Sequence, residues 1–314
     1  MMGKLTHEDR CKIETLYKAG VNASKIAQQL GRHKSTITRE LERNTLDGVY
    51  KYEEANQFAK KRRACGGRPK LTEDNWTFIR ILLYLKWSPE QISGWLKENS
   101  GVGFYVSDQW IYEYIHRNQA KGGDLYENLR RKGRPYRNGK FRPYRGNIKD
   151  RISIEERPEI VDKRLRIGDW EVDSVIGKLN KSSLVTLVER VSRYTIILKV
   201  NSKEAQVVAK AIIERAKEMK LKMHTMTGDN GTEFAEHRTI AQELDIDFFF
   251  THPYSSWEKG TNENTNGLLR QYFPKGTDFN TISDDAISTV ENELNNRPRK
   301  CLNYKSPIEI FNTN

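Results

Sequence analysis

The sequence predicts a multidomain chain, all-α in its first part and mixed α/β in its last, and three observations carry that prediction. Residues 1–150 hold 30 Lys/Arg against 17 Asp/Glu, a net of +13, whereas residues 151–314 hold 24 against 25, a net of −1. Apolar residues recur at helical spacing as far as about residue 118, and strand-like runs begin only near residue 166. At 314 residues the chain is long for one core and comfortable for two or three. Positive charge confined to one half fits a phosphate-contacting module joined to a domain with another task. A merely soluble basic surface accounts for the total of +12 but not for its placement.

Residues 1–59 read as a helix-turn-helix DNA-binding domain. Thr6 caps a helix carrying Ile13, Leu16 and Tyr17, which Gly20 ends. Asn22 opens a second with Ala23, Ile26, Ala27 and Leu30 inward, Gly31 turns the chain, and residues 34–43 form a third with Ile37 and Leu41 inward. Arg32, His33, Lys34, Ser35, Thr36, Arg39 and Arg43 are then free to meet bases and phosphates. The competing reading is a three-helix domain with a solvated polar face, and the charge favours DNA.

Residues 60–70 look like a basic hinge. Residues 71–118 form a second helical, helix-turn-helix-like domain: Phe78, Ile79, Leu82 and Leu83 mark one helix, Ser88-Pro89 cap the next, and Ser107 starts a third bearing Ile111, Tyr114 and Ile115. Its last helix is aromatic and poor in cations, so a structural or dimerising bundle stays open. Residues 119–160 read as a basic linker, because 130–151 hold ten Lys/Arg against one acid and cannot bury a core. Within it Arg134, Arg137, Arg142 and Arg145 are placed to track a phosphate backbone, with Tyr136, Phe141 and Tyr144 to stack on bases.

Residues 161–314 change to α/β with a C-terminal helical tail. Strands are expected at 170–176, 184–189, 194–200, 222–227 and 247–251, with helices at 204–219, 237–244 and 261–272. The resulting order, β-β-β-α-β-α-β-α, is that of the ribonuclease-H-like fold.

Three acids on separate elements of that fold suit oxygen-ligated Mg²⁺: Asp173 in the first strand, Asp229 where the fourth strand ends, and Glu263 on a helix, with 33 residues between it and Asp229. Two such ions about 3.5–4 Å apart serve an in-line displacement at phosphorus. Asp169, Glu171 and Asp173 share one strand parity, so alternation does not choose among them, and Glu258 competes with Glu263. Arg270, two turns after Glu263, lies on the same helix face.

The text around these acids resembles the Asp-Asp-Glu, integrase-core transposases of bacterial insertion sequences, specifically the insertion sequence thirty family. The matching stretches are 168–173 (GDWEVD), 227–234 (TGDNGTEF), 252–254 (HPY), 258–270 (EKGTNENTNGLLR), 296–299 (NRPR) and 302–307 (LNYKSP). The similarity extends over nearly the whole chain. It implies that Asp173, Asp229 and Glu263 are catalytic metal ligands, for two Mg²⁺ ions with Mn²⁺ an acceptable substitute, and that Arg270 lies near DNA. It implies cleavage at the transposon end followed by transesterification into a target, without a covalent enzyme intermediate. The implied partner is double-stranded DNA, both terminal inverted repeats and target, with at least a dimer on paired ends. The family commonly has His at 169 and Gly at 172, where this chain has Asp and Val.

Rival classes fare worse. A regulator built on a dead nuclease predicts damaged acids, and all three are present; a hybrid nuclease would not need tandem DNA readers. Cys11, Cys65 and Cys301 lie far apart with no Cys-x-x-Cys, which argues against zinc and disulfides. No apolar run approaches a membrane span and no signal-peptide pattern opens the chain, so a bacterial cytoplasmic, nucleoid-associated protein is expected.

Overall fold

The computed structural model describes residues 5–65, 71–132, 148, 150–178, 182–253 and 255–313, with backbone alone at 63–65, 256 and 257. Arg134, Arg137, Arg142 and Arg145 lie outside the described residues. The chain divides into two compact units, Met1–Thr72 and Glu73–Asn314.

The first unit contains α1 (His7–Lys18), α2 (Ala23–Gln29), α3 (Lys34–Asn44), a hairpin of β1 (Thr45–Leu46) and β2 (Val49–Tyr50), and α4 (Tyr52–Cys65). Thr6 caps α1 through a reciprocal pair of hydrogen bonds with Asp9, and Asn22 caps α2. Ile13, Ile26, Ile37, Tyr50 and Ala55 are fully buried together. Beneath them Arg10 meets Glu40 at 2.6 Å, and the Tyr50 hydroxyl donates to Glu40 at 3.2 Å. Burial, reinforced by Glu40, holds the Tyr50 phenol protonated. The sequence reading expected a hinge from residue 60. Instead α4 runs on through Cys65, since Ala, Lys and Arg are good helix formers and nothing in 60–65 breaks the period.

The second unit opens with α5 (Glu73–Tyr84), α6 (Pro89–Glu98) and α7 (Asp108–Ala120). Ser88 and Gln91 form a capping box on α6 with Pro89 at its first position, as the sequence suggests. There follow β3 (Ile152–Ser153), α8 (Glu159–Asp162), β4 (Asp169–Ile176), β5 (Ser183–Glu189), β6 (Thr195–Val200), α9 (Ala205–Glu218), β7 (Thr225–Gly228), α10 (His237–Leu244), β8 (Asp247–Phe250), α11 (Gly260–Tyr272), α12 (Asp284–Asn296) and α13 (Pro307–Thr313). The stretch read as linker thus carries a strand and a short helix. A two-residue strand has no period to read, and β3 exists because Ile152 and Ser153 pair with Phe249 and Phe250.

The six strands run in the order β3-β8-β7-β4-β5-β6. β4, β5 and β6 are antiparallel neighbours, and β7, β8 and β3 extend the sheet in parallel from β4. This is the ribonuclease-H-like arrangement, following an all-α first unit apart from its short hairpin. Alternation assigns the faces. Trp170, Val172, Leu187, Ile196, Met226 and Phe248 pack under α9 and α10, whereas Val175, Leu184 and Ile197 pack under α11 and α12. α12 also closes the open edge of β6: Asn295 exchanges hydrogen bonds with the Thr195 backbone at 2.8 and 2.7 Å, and Glu291 accepts from the Ile197 N–H at 2.6 Å. No helix among the described residues is long and apolar enough to cross a membrane.

Within this unit α6 is docked on the segment after α12. Gln91 donates to the Pro298 carbonyl at 2.8 Å, Lys300 pairs with Glu90 at 2.6 Å, and the Tyr304 ring lies flat against Gly94. A Cβ at Gly94 would stand 2.1–2.4 Å from three ring carbons. We expect Gly94→Ala to lower stability by about 1–3 kcal/mol, because overpacking against a ring outweighs the ~1 kcal/mol that alanine gains in a helix. Urea unfolding of the full chain measures it, and a midpoint at or above wild type would show that Tyr304 swings aside at no cost.

Candidate metal centre

Asp169, Glu171 and Asp173 all project from β4 toward α11, and their partners separate them. Asp169 is buried against Arg166 at 3.1 Å and accepts from the Thr225 hydroxyl at 2.9 Å. Glu171, equally buried, pairs with Arg190 at 2.5 Å and accepts from the Asn262 N–H at 3.3 Å. Each of these two is matched by an arginine. Asp173, further along the strand and half-buried, is not.

Asp229 stands just past β7, where its Oδ1 accepts from the Gly231 N–H at 3.0 Å and shapes the turn. β7 lies parallel beside β4 with Asp169 opposite Thr225 and Glu171 opposite Thr227. Continuing that register by two residues sets Asp173 opposite Asp229. Between them sits Lys259, buried, its Nζ 3.1 Å from Asp173 Oδ1, 3.4 Å from Asp229 Oδ2 and 3.2 Å from the Val172 carbonyl. Burial pushes the Asp173 carboxyl above its ordinary range, with Lys259 pulling it down and Asp229 pushing it up. For Lys259 burial acts downward, but Asp173 and Asp229 outweigh it and the ammonium is raised.

Asn266 on α11 donates to Asp173 Oδ2 at 2.6 Å, and its own carbonyl accepts from the Thr186 hydroxyl at 3.2 Å. Glu263, one turn earlier on the helix, is exposed and forms no ion pair among the described residues. The structure therefore brings Asp173 and Asp229 to one point and leaves Glu263 outside it, exposed on α11. Among the described residues no three His, Cys, Asp or Glu side chains cluster closely enough to hold one ion. Glu258, the competing glutamate, is engaged in its loop, accepting from the His252 N–H at 2.8 Å and contacting its ring at 2.7 Å. Arg270 spends its guanidinium on carbonyls, at 2.8 Å from Ile176 O and 3.3 Å from Pro274 O.

The donor set at the pair suits a hard divalent cation: two carboxylates from adjacent strands already hold positive charge between them. Lys259 is the member of this site that the sequence does not single out: it stands four residues before Glu263, and nothing local shows that it meets two acids 86 and 30 residues upstream.

In the first unit Lys34, Arg39 and Arg43 are exposed on α3, with Ser35 and Thr36 half-buried. Arg32 is tied to Asp9 at 3.0 Å, and His33 caps α3 by accepting from the Ser35 N–H at 3.3 Å. Ser35, Arg39 and Arg43, four apart, share a face.

Two domain families match the chain: Helix-turn-helix domain over residues 3–44 and Integrase core domain over residues 165–256. The chain is 42% identical to the transposase for insertion sequence element IS4351 of Bacteroides fragilis, over 99% of this chain and 96% of that protein. It is 37% identical to transposase InsI for insertion sequence element IS30C of Escherichia coli (strain K12), over 98% and 83%. Against the transposase for insertion sequence element IS1086 of Cupriavidus metallidurans it is 36% identical over 98% and 94%.

Removing the bridging ammonium leaves two facing carboxylates uncompensated. Breaking a fully buried pair costs about 3–5 kcal/mol; with Asp229 partly exposed, Lys259→Met is expected to cost about 1–3 kcal/mol. Chemical denaturation without divalent ions checks this, and an unchanged midpoint would mean that the bridge contributes nothing to folding.

Proposed function

Since the chain belongs to the insertion-sequence-thirty family of transposases, enzymes of DNA transposition, we propose that Asp173, Asp229 and Glu263 form its metal-binding catalytic triad and that Mg²⁺ is the working ion. An integrase core implies a divalent metal, and the observation that carries the choice of residues is the meeting of Asp173 and Asp229 around one buried positive charge. Asp169 and Glu171 are the alternatives by parity, and their arginine partners argue against them. Glu263 is the third member because it lies on the helix stripe of Asn266, which already touches Asp173. Two divalent ions held there would supply charge to the phosphoryl oxygens and a more acidic water.

The rest falls to the chain's own groups. Asn266 orients Asp173, and Thr186 orients Asn266. Lys259 holds the carboxylates together and is a cation within reach of a scissile phosphate should it leave them. Arg270 belongs to the frame of α11 rather than to the reacting atoms, given its carbonyl partners. Specificity for the terminal inverted repeats is assigned to Lys34, Ser35, Thr36, Arg39 and Arg43 of α3, with Arg32 and His33 positioning that helix. Cleavage at an element's end, joining to target and action as at least a dimer on paired ends complete the reading, as does Mn²⁺ as a substitute ion.

Asp229→Asn and Glu263→Gln are each expected to abolish Mg²⁺-dependent nicking and joining of a duplex from the element's end. The loss should exceed the roughly 100-fold caused by disturbing a ligand's supporting partner. Duplex binding in a mobility-shift assay should persist in both variants; undiminished cleavage in either removes that residue from the triad. Binding itself should weaken by about 10³–10⁵-fold between roughly 50 and 200 mM salt if six to ten phosphates are contacted. A flat salt response would argue against a phosphate-dominated interface.

A further inference from the structure

Several arginines among the described residues are answered by a carboxylate, Arg10, Arg80, Arg157, Arg166, Arg190 and Arg215 among them. Along the flank of α11 turned away from Asp173 the pattern stops. Arg130, Arg164, Arg193, Arg297 and Arg299 form no ion pair among the described residues and spend their hydrogen bonds on neutral groups. Arg164 and Arg193 share the one hydroxyl of Thr261, at 3.3 and 2.6 Å. Arg130 donates to Asn264 Oδ1 at 2.9 Å, Arg297 to Gln271 Oε1 at 2.9 Å, and Arg299 to the Leu294 carbonyl at 2.9 Å. The Nε atoms of Arg193, Arg297 and Arg299 are buried with no partner at all.

These side chains line two adjoining clefts of about 260 and 600 Å³ that share Asn264, Arg299 and Cys301. The smaller contains no acid, and the only acid of the larger, Glu90, is already paired with Lys300. A buried N–H without an acceptor costs about 1–3 kcal/mol, and five like charges add mutual repulsion. Burial draws Arg299 down to about 9 and lowers Arg130 and Arg297 as well. An anionic partner would remove each of these penalties.

We propose that the two clefts form a track for consecutive phosphates of a DNA strand that passes along the flank of α11 opposite the acidic pair. The guanidinium fork matches phosphate oxygens. The length requires a strand rather than one ion, since the lining from Thr261 to Gln271 spans about 15 Å of helix. The proposal rests on the strand-transfer reading above and adds to it a second, catalytically silent DNA contact in the same unit.

Cys301, exposed and shared by both clefts, reports occupancy. The full chain is treated with N-ethylmaleimide, and modification of Cys301 is read by peptide mass spectrometry. It is read alone, with a duplex from the element's end, with an unrelated duplex, and with inorganic phosphate. Protection by a duplex is expected. Protection confined to the end duplex assigns the track to transposon DNA, and protection by both assigns it to DNA in general. Arg164→Gln with Arg193→Gln should lose the protection and lower the slope of log Kd against log salt by about 1–2, with an unchanged melting temperature. The paired lysine replacements should restore the slope. Equal alkylation with DNA bound, together with an unaltered slope, overturns the proposal, as does equal protection by inorganic phosphate alone. A wild-type chain that binds and protects Cys301 but never nicks DNA sinks the strand-transfer reading and not the track.

Discussion

Three carboxylates of β4 point to one side of the sheet, beneath α11, and the organisation of that side follows from how each is neutralised. A charge in so enclosed a place needs a partner or a proton. Arg166 and Arg190 answer Asp169 and Glu171 with fixed, permanently charged forks. Asp173 receives a lysine shared with Asp229 and an amide from Asn266. The difference matters chemically. An ammonium is a compact point charge on a flexible stem, so the position it holds can be exchanged for another small cation. A planar guanidinium held by its acid, and for Arg190 by the Val161 carbonyl as well, has no such freedom. One strand thus carries two structural acids and one acid held in a form suited to metal.

α11 serves both sides of this arrangement. Asn266 meets the acidic pair, and the opposite flank, through Thr261, Asn264 and Gln271, faces arginines. Gly267 is the compromise that permits it. A Cβ there would lie 2.0 Å from Arg130 Nη2, so the guanidinium occupies the space that any other residue would fill. Glycine inside a helix costs about 0.5–1 kcal/mol, a small amount beside an arginine placed against α11.

Much of this was legible in the sequence for a definite reason. The alternation of β4, the continuous β-branched and apolar runs of β5 and β6 and the period-3.6 runs in α9 and α11 are long enough to leave a pattern, and capping residues such as Thr6, Asn22 and Ser88 mark helix starts without tertiary help. What escaped was short or relational. β3 is two residues long and exists only through its pairing with β8. The hairpin of β1 and β2 is equally brief. The choice among Asp169, Glu171 and Asp173 depends on Arg166, Arg190 and Lys259. Two of those three come from positions 19 and 86 residues away in sequence from the acids they meet, where no local pattern extends. Arg299 reads as an ordinary surface cation until the fold buries it.

The third acid remains the instructive case. α11 is fixed to β4 along its length: Lys259, just before the helix, holds the Val172 carbonyl and Asp173, the Asn262 N–H meets Glu171, Asn266 meets Asp173, and Arg270, in its last turn, holds the Ile176 carbonyl at 2.8 Å. Glu263 lies between these clamps, so its position along the strand is set even though its side chain faces outward. At the helix start the chain is tied by Lys259, by the Thr261 hydroxyl that Arg164 and Arg193 share, and by the Asn262 N–H on Glu171. The lysine between Asp173 and Asp229 is thus also one of the ties that fix the start of α11, so the acidic pair and the helix carrying Glu263 are held by a common residue.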